Sequence, residues 1–381
     1  MRLQGRLLKA LTILVVTTAI VLGVVTCGKK DSGEIRIGVI TPLSGEGATY
    51  GEATKRGADL AVEEINKAGG IQGSKVRLIY EDDKIDPQEG AKAIQKLISI
   101  DKVPIILGAF GSSVTLAIAP IAEREHVVLF SASSTADAIK DAGDYIFRNV
   151  PPNSQQGKSA AEFAIDKLNA KYASVLFMNN DYGISLSKSF EGSFTQKGGN
   201  ILSIDSYSAG DRDFRAQLAK IKNQTPDVIF YPGHYQESGL ILKQAKELGI
   251  KVPFVGGDGS YSPELLTIAG NSAEGSYYTL MAMGYGVADD EIKEFMRAFK
   301  AKYNAEPDVY SAYAYDAMRI IIDAIGNGGY TSEGIKRALY AINNFKGVTG
   351  FTSFDQFGEV DKQFYIYVVW QGTFVRYKSG G

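Results

Sequence analysis

An alternation of short apolar strands and amphipathic helices constrains the fold of this chain more than any other feature. Residues 35–40 form a β-branched run that ends at Thr41-Pro42, as expected of a buried strand. Residues 50–68 follow with apolar side chains at helical spacing, and Gly69-Gly70 ends the helix. Later strands are predicted at 75–80, 103–110 and 127–130, and later helices at 87–100 and 112–125. This alternation predicts a parallel, doubly wound sheet with helices on both faces.

The same pattern restarts after Val150-Pro151-Pro152. Strands are predicted there at 173–178, 201–207, 228–231 and 253–256, and helices at 154–168, 184–197, 214–222 and 237–248. The remainder is predicted to hold helices at 291–303 and 310–325 and a hairpin-like end formed by 350–355 and 363–370. A chain of 381 residues is long enough for two domains. The sequence therefore predicts an α/β protein with two doubly wound lobes.

The N-terminus has the pattern of an export signal. The first nine residues include three basic and no acidic side chains, and an apolar run follows at 11–25. Cys27, the only cysteine, stands where a lipoprotein signal peptidase would leave a lipidated first residue. We therefore predict a lipoprotein-type signal peptide at 1–27, a polar tether at 28–34, and a protein that works outside the cytoplasm. The alternatives are plain secretion and an uncleaved anchor, although the apolar run is short against the roughly 20 residues that span a bilayer.

The composition argues against several functions. No block of basic residues interleaved with aromatics is present, so nucleic acid is not expected as a partner. The only histidines are His126 and His234, which leaves almost no ligands for a zinc site, and no metal is predicted. The loop at 45–51 has the wrong spacing for a dinucleotide fingerprint, and Glu46 would repel a pyrophosphate. We therefore expect no cofactor.

Two loops of the first predicted lobe are rich in hydroxyl groups. Residues 111–115 and 131–135 each follow a predicted strand, and ligands of doubly wound sheets bind at this end of the strands. Hydroxyls and free backbone N–H groups at a helix start suit a small anion such as a carboxylate. Plain N-capping by serine and threonine is the alternative.

The corresponding loops of the second predicted lobe carry acids among aromatic residues. They lie at 179–183, 231–235 and 256–259. A carboxylate surrounded by aromatic rings can hold an ammonium group by charge and by cation–π attraction. An anion site on one lobe and a cation site on the other together match the zwitterion of an amino acid.

The chain resembles the periplasmic branched-chain amino-acid-binding proteins, the substrate-binding components of ABC transporters of the leucine/isoleucine/valine type. The resemblance covers nearly all of residues 35–375, and its most specific stretches are 37–45, 50–51, 64–66 and 69–73. It implies the type I periplasmic binding protein fold, in which two Rossmann-like lobes are joined by three crossings. The crossings are expected near Pro152, Leu280 and Val360. Lobe 1 would then comprise 35–152 plus 281–360, and lobe 2 would comprise 153–280 plus 361–378.

The same resemblance implies the roles of individual site residues. The hydroxyls of Ser112 and Thr135, with backbone groups near Ser133, are expected to bind the α-carboxylate of the ligand. Asp258, helped by Tyr182, is expected to take the α-ammonium group. Tyr50, His234 and Tyr310 match positions that wall the side-chain pocket. Aspartate replaces the glutamate of leucine-binding members, and His234 replaces a tyrosine, which leaves the identity of the ligand side chain open.

The implied mechanism is capture of an amino acid by hinge closure of the two lobes. A membrane permease of an ABC transporter would then recognise the closed form, and the protein would contact the membrane only through its lipid anchor. One alternative is a ligand-sensing module that regulates a partner. An enzyme is disfavoured, because His234 is the only plausible base in the cleft.

Overall fold

The computed structural model describes residues 33–281 and 289–378. The predicted signal peptide, Cys27 and most of the predicted tether lie outside these residues. The strands are β1 (Ile35–Thr41), β2 (Val76–Asp82), β3 (Ile105–Leu107), β4 (Val128–Ser131), β5 (Ile146–Arg148), β6 (Tyr172–Met178), β7 (Asn200–Tyr207), β8 (Val228–Phe230), β9 (Phe254–Gly256), β10 (Tyr277–Met281), β11 (Phe345–Gly347), β12 (Gly350–Thr352), β13 (Phe364–Trp370) and β14 (Thr373–Arg376). The α-helices are α1 (Ala48–Lys67), α2 (Pro87–Ser99), α3 (Ser112–Arg124), α4 (Asn153–Asp166), α5 (Asp181–Gln196), α6 (Arg215–Gln224), α7 (Tyr235–Glu247), α8 (Pro263–Ala269), α9 (Asp289–Tyr303), α10 (Val309–Gly328) and α11 (Ser332–Tyr340).

The first sheet is five-stranded and entirely parallel. Its strand order is β2-β1-β3-β4-β5, and every neighbouring pair is parallel. Strand β1 is buried along almost its whole length, as its β-branched sequence predicts. Because the carboxyl ends of parallel strands share one edge, the loops after β3 and β4 lie side by side there.

The second sheet is seven-stranded and mixed. Its order is β14-β13-β10-β9-β8-β6-β7, in which β10, β13 and β14 pair antiparallel and the other pairs are parallel. The predicted α/β fold class with two doubly wound sheets is therefore confirmed. The antiparallel edge was not part of the prediction.

The predicted hairpin between 350–355 and 363–370 is wrong. Strand β12 pairs with β11 through a tight turn at Val348-Thr349, and β13 pairs with β14 through Gln371-Gly372. The two segments thus belong to two different hairpins in two different sheets. The sequence signal failed because β13 is apolar or aromatic at every position, so its sequence predicts a strand without indicating the strand with which it pairs.

Helix caps fix the starts of two helices near the ligand cavity. Asp86 accepts hydrogen bonds from the backbone N–H groups of Gln88 and Glu89, and Pro87 stands in the first turn of α2, as predicted. Asp308 likewise accepts from the N–H of Ser311 at the start of α10. Tyr310 follows two residues after this cap, so the cap sets its position.

Helices α1 and α10 pack against each other very closely. A Cβ atom on Gly57 would lie 2.1 Å from the carbonyl oxygen of Ser311, so only glycine fits between the two helix backbones. This contact holds α10, which comes late in the chain, against the first sheet.

The chain passes between the two sheets three times. The passages lie between β5 and β6, between β10 and α10, and between β12 and β13. The lobe boundaries at 152, 280 and 360 stay predictions. None of the helices within 33–281 and 289–378 combines the length and apolar character needed to cross a bilayer.

Candidate ligand-binding site

A cavity of about 530 Å³ opens between the two sheets. Its volume falls within the range of small-molecule sites. Both halves of the molecule contribute to its walls. Nearly all of the lining residues come from the segments that follow the parallel strands, and Tyr310 comes from the start of α10. The lining residues on which the site depends are Ile85, Phe110, Ser112, Ser133, Tyr182, His234, Glu237, Asp258 and Tyr310.

Six of the eight predicted site residues line this cavity. The other two, Tyr50 and Thr135, lie directly behind the wall: Tyr50 stacks on Phe110, and the N–H of Thr135 donates to the Ser112 hydroxyl oxygen. The structure therefore brings all eight residues to one place. Their roles toward a ligand stay predictions.

Ser112 joins the two hydroxyl-rich loops. It begins α3, and its Oγ accepts hydrogen bonds from the backbone N–H groups of Thr135 and Ala136, each at 3.2 Å. The loop after β4 is thereby tied to the helix that follows β3. Its side chain is nearly buried but still reaches the cavity wall.

The other two hydroxyls of this side differ from each other. The Ser133 Oγ donates to the carbonyl oxygen of Phe110 at 3.0 Å. The Thr135 Oγ1 is buried and has no hydrogen-bond partner among the described residues. A buried hydroxyl without a partner costs roughly 1–3 kcal/mol, so this group needs a partner more than its neighbours do.

Asp258 is the acidic centre of the opposite wall. Its Oδ1 accepts hydrogen bonds from the Tyr182 hydroxyl at 2.9 Å and from the Gln156 side-chain amide at 2.8 Å. The absence of a side chain on Gly257 makes this geometry possible, because a Cβ there would lie 2.3 Å from the Tyr182 hydroxyl oxygen.

Gln156 is a site residue that the sequence did not reveal. It lies in the first turns of α4, is fully buried, and donates both to Asp258 and to the carbonyl oxygen of Thr279 on β10. A glutamine near a helix start looks like an ordinary surface residue in the sequence. Only the tertiary structure places it against the acid.

The charge of Asp258 is not neutralised by the protein. Burial raises the pKa of its carboxyl group, and the hydrogen bonds from Gln156 and Tyr182 only partly oppose that effect. None of the cationic side chains in 33–281 and 289–378 forms an ion pair with it. An ammonium group entering the cavity would supply the missing opposite charge.

Aromatic rings form the wall between these two polar sides. Tyr50 stacks on Phe110 with ring centroids 4.3 Å apart, and the Tyr310 ring meets the edges of both. The sequence predicts Phe110 only as the end of a strand, although its position at the carboxyl end of that strand also suits a site residue. These rings suit an apolar ligand side chain.

His234 completes this wall as a neutral ring. Burial lowers the pKa of its imidazole to about 4, so it carries no charge at neutral pH. Its ring lies 5.8 Å from that of Tyr50 and 6.2 Å from that of Tyr182. It therefore offers polarity without competing for the charge of Asp258.

Direct contacts join the two halves of the molecule around the cavity. The Tyr310 hydroxyl donates to the carbonyl oxygen of Asp258 at 2.5 Å, and the Tyr50 hydroxyl donates to that of Gly259. On another side, the N–H of Asp181 donates to the Ser113 hydroxyl oxygen at 3.1 Å. The structure thus shows the cleft in a closed arrangement.

Metal ligands are not grouped in the part of the chain that the structure describes: no cluster of three or more His, Cys, Asp or Glu side chains is arranged to hold an ion. Asp83, directly after β2, is an acidic residue that is fully buried. Burial raises the pKa of its carboxyl group to about 7.

Two α/β lobes that meet over a cavity with hydroxyl groups on one wall and a buried acid on the other define a two-lobed small-molecule-binding protein. The chain belongs to the periplasmic binding protein family, whose model matches residues 34–373. The resemblance noted in the sequence is therefore confirmed. Family membership places the protein outside the cytoplasm and makes it a binding component of transport and not an enzyme.

Known relatives span nearly the whole chain. A Pseudomonas aeruginosa leucine-, isoleucine-, valine-, threonine- and alanine-binding protein is 31% identical over 328 residues, which are 86% of this chain and 87% of the relative. The crystal structure of LivJ from Streptococcus pneumoniae in complex with isoleucine is 36% identical, with a TM-score of 0.84, and the match covers 90% of this chain and 100% of that one. The leucine-binding protein LivK from Thermotoga maritima is 31% identical, with a TM-score of 0.86, and covers 90% of this chain and 98% of its own.

Proposed function

We propose that this protein captures a branched-chain or closely related amino acid and delivers it to the membrane permease of an ABC transporter. One observation carries the proposal: hydroxyl and N–H donors around Ser112 and the buried acid Asp258 lie on opposite walls of one cavity between the two lobes. A free α-amino acid carries both of the matching charges. The aromatic wall between them leaves room for an apolar side chain.

Each wall has its own role in this proposal. Ser112 and Thr135, with the backbone near Ser133, bind the α-carboxylate, while Asp258 takes the α-ammonium group and Tyr182 orients it. Tyr50, His234 and Tyr310 surround the ligand side chain, joined by Phe110. The names of the relatives agree with this ligand class, since LivJ was crystallised with isoleucine.

Hinge closure follows from the position of the cavity. A ligand that touches only one wall leaves the balance between open and closed forms unchanged, whereas one that touches both walls stabilises the closed form. The three chain passages between the sheets provide the hinge. The closed shape is then the form that a permease recognises.

A panel titration tests the ligand class. Purified protein lacking residues 1–27 is titrated by isothermal calorimetry with leucine, isoleucine, valine, threonine and alanine, after removal of any bound ligand by unfolding and refolding. We expect saturable 1:1 binding of at least one aliphatic amino acid. Benzoate, which has a carboxylate but no amine, is the matched control and should bind far more weakly. Absence of binding by every amino acid would contradict the proposal.

We also propose that Cys27 carries a lipid that anchors the protein to the membrane. The support is its position after the apolar run 11–25. In cells, a Cys27→Ser variant should move from the membrane fraction to the soluble fraction, and mass spectrometry of the wild-type N-terminal peptide should show the acyl mass. An unmodified Cys27 peptide would refute the anchor without affecting the ligand proposal.

A further inference from the structure

Arg148 is a charged side chain in the protein interior, where an unpaired charge is strongly destabilising. It ends β5 and is completely buried, and it is among the largest fully buried side chains of the described residues. Buried guanidinium groups persist only where they are paired and hydrogen-bonded. The partners of Arg148 therefore indicate what it is for.

One end of the Arg148 guanidinium holds the hydroxyl-rich loop after β4. Its Nη1 donates to the carbonyl oxygens of Ser134 at 3.1 Å and Ala136 at 2.9 Å. In a trans peptide the N–H points away from the C=O. The two N–H groups opposite these carbonyls, those of Thr135 and Asp137, therefore point away from Arg148.

Those two N–H groups contact functional partners on either side of the cleft. The N–H of Thr135 donates to the Ser112 Oγ at 3.2 Å, on the proposed carboxylate-binding wall. The N–H of Asp137 donates to the Ser185 Oγ at 3.1 Å, and Ser185 lies on α5, across the cleft. Arg148 thus orients one peptide group toward the ligand wall and another toward the opposite lobe.

The other end of the guanidinium reaches the third chain passage. Its Nε donates to Glu359 Oε1 at 2.7 Å, and its Nη2 pairs with Glu359 Oε2. The backbone N–H of Arg148 also donates to the carbonyl oxygen of Gly358 at 3.1 Å. Glu359 lies between β12 and β13, where the chain passes from the two-stranded β11–β12 hairpin to the seven-stranded sheet.

We infer that Arg148, held by Glu359, is a positioning residue that aligns the carboxylate-binding loop and couples it to the hinge. This inference rests on the proposed function, because it concerns the wall that binds the α-carboxylate. Arg148 does not line the cavity, so it would act on a ligand bound there only through other groups. It acts by fixing two peptide groups whose N–H groups face the binding wall and the opposite lobe.

If Arg148 served only to stabilise the fold, its substitution should have a different effect on ligand binding. Loss of a buried ion pair would then lower the free energy of unfolding and reduce the affinity for all ligands by the same factor. A positioning residue for the carboxylate wall should instead affect ligands that carry a carboxylate more than ligands that lack one.

The test compares L-leucine with L-leucinamide, which keeps the ammonium and the side chain but has a neutral amide in place of the carboxylate. Dissociation constants for both are measured by calorimetry on wild type, Arg148→Lys, Arg148→Gln and Glu359→Gln. Tyr330→Phe is the matched control, because the Tyr330 hydroxyl bonds the backbone of Arg36 in the same lobe and away from the loop. Thermal unfolding of each variant without ligand reports the structural cost.

We expect Arg148→Gln to weaken leucine binding about 10- to 100-fold and leucinamide binding much less, so that the preference for leucine falls about tenfold. Glu359→Gln, which keeps the shape but removes the charge that fixes Arg148, should show a smaller change in the same direction. Arg148→Lys should recover part of the preference. Tyr330→Phe should lower only the unfolding temperature.

Equal weakening of leucine and leucinamide in every folded Arg148 and Glu359 variant would overturn the inference, and so would unchanged binding of both. If Arg148→Gln does not fold, Glu359→Gln and Arg148→Lys decide the question by the same ratio. Failure of the wild type to bind leucine is a separate result, which counts against the proposed function itself.

Discussion

The two walls of the cavity present opposite polarity by different means. On the Ser112 side, the donors are neutral and, apart from the buried Thr135 hydroxyl, already engaged with one another, so that the loop after β4 and the start of α3 form one hydrogen-bonded unit. On the other side, a single buried carboxylate, that of Asp258, carries a charge that the protein does not neutralise. Loss of one donor should therefore be tolerated on the first wall, whereas loss of the acid should not be tolerated on the second.

Removal of the Asp258 charge should have the largest effect. Asp258→Asn keeps the size of the side chain but leaves a bound ammonium group without its opposite charge, which typically costs 2–5 kcal/mol, or about 30- to 5,000-fold in affinity. Calorimetry with leucine measures the change. Asp181→Asn, which alters an exposed acid at the cavity rim, is the matched control and should change affinity by less than about threefold.

Similar losses in the Asp258 and Asp181 variants would show that general negative potential matters more than one buried charge. The difference between the two walls would then lose its basis. Unchanged binding in Asp258→Asn would mean that the ligand carries no amine.

The pH dependence of binding should have the next largest effect. Because burial raises the pKa of the Asp258 carboxyl group, a proton competes with the ligand ammonium as the pH falls. Affinity for leucine should fall as the pH is lowered, approaching about tenfold per pH unit once the pH is below that pKa. Titrations from about pH 8 to about pH 4.5 measure the slope.

Among the other titratable groups that line the same cavity, His234 and Glu237 need controls. His234 is neutral above about pH 5, because burial lowers its pKa to about 4. Burial raises the pKa of Glu237, so Glu237→Gln separates its contribution. If the pH dependence persists in Asp258→Asn and disappears in Glu237→Gln, then Glu237 and not Asp258 is the acid whose protonation weakens binding.

Removal of the Ser112 hydroxyl should have the smallest effect. Ser112→Ala takes away one hydrogen-bonding group, but the N–H groups of Thr135 and Ala136 and the start of α3 remain. Loss of one hydrogen bond corresponds to about 1 kcal/mol, or roughly three- to tenfold in affinity. Calorimetry with leucine measures it, and a loss as large as that in Asp258→Asn would remove the distinction between the walls.

Local sequence patterns predicted most of the fold because strands and helices each have a characteristic spacing of apolar residues. The alternation through 35–130 and again through 173–256 matches the parallel strands of both sheets. Strand pairing at the end of the chain was not predictable in the same way. Strand β13 is apolar or aromatic at every position, so its sequence does not indicate whether β12, β10 or β14 lies beside it, and only the tertiary structure selects its partners.

The residues of the candidate site also fall into two groups, those that local sequence predicts and those that depend on the tertiary structure. Residues in loops after strands, such as Ser112 and Asp258, were found because their chemistry and their position in the pattern agree. Arg148 and Gln156 were missed because their importance lies in what they hold from behind the wall. For Arg148, the sequence offered one signal, which is a charged residue at the end of the apolar run Ile146-Phe147. This signal indicates that Arg148 has a buried partner, but it does not identify that partner.

The order in which the chain enters the two lobes has a consequence for how the protein folds. The packing of α10 against α1 needs residues beyond 309, and the second sheet lacks its antiparallel edge until β13 and β14 have been made. Neither half is complete when its first strands emerge. We therefore expect neither half to reach its final stability before β13 and β14 can pair, and both to unfold together in a single cooperative transition.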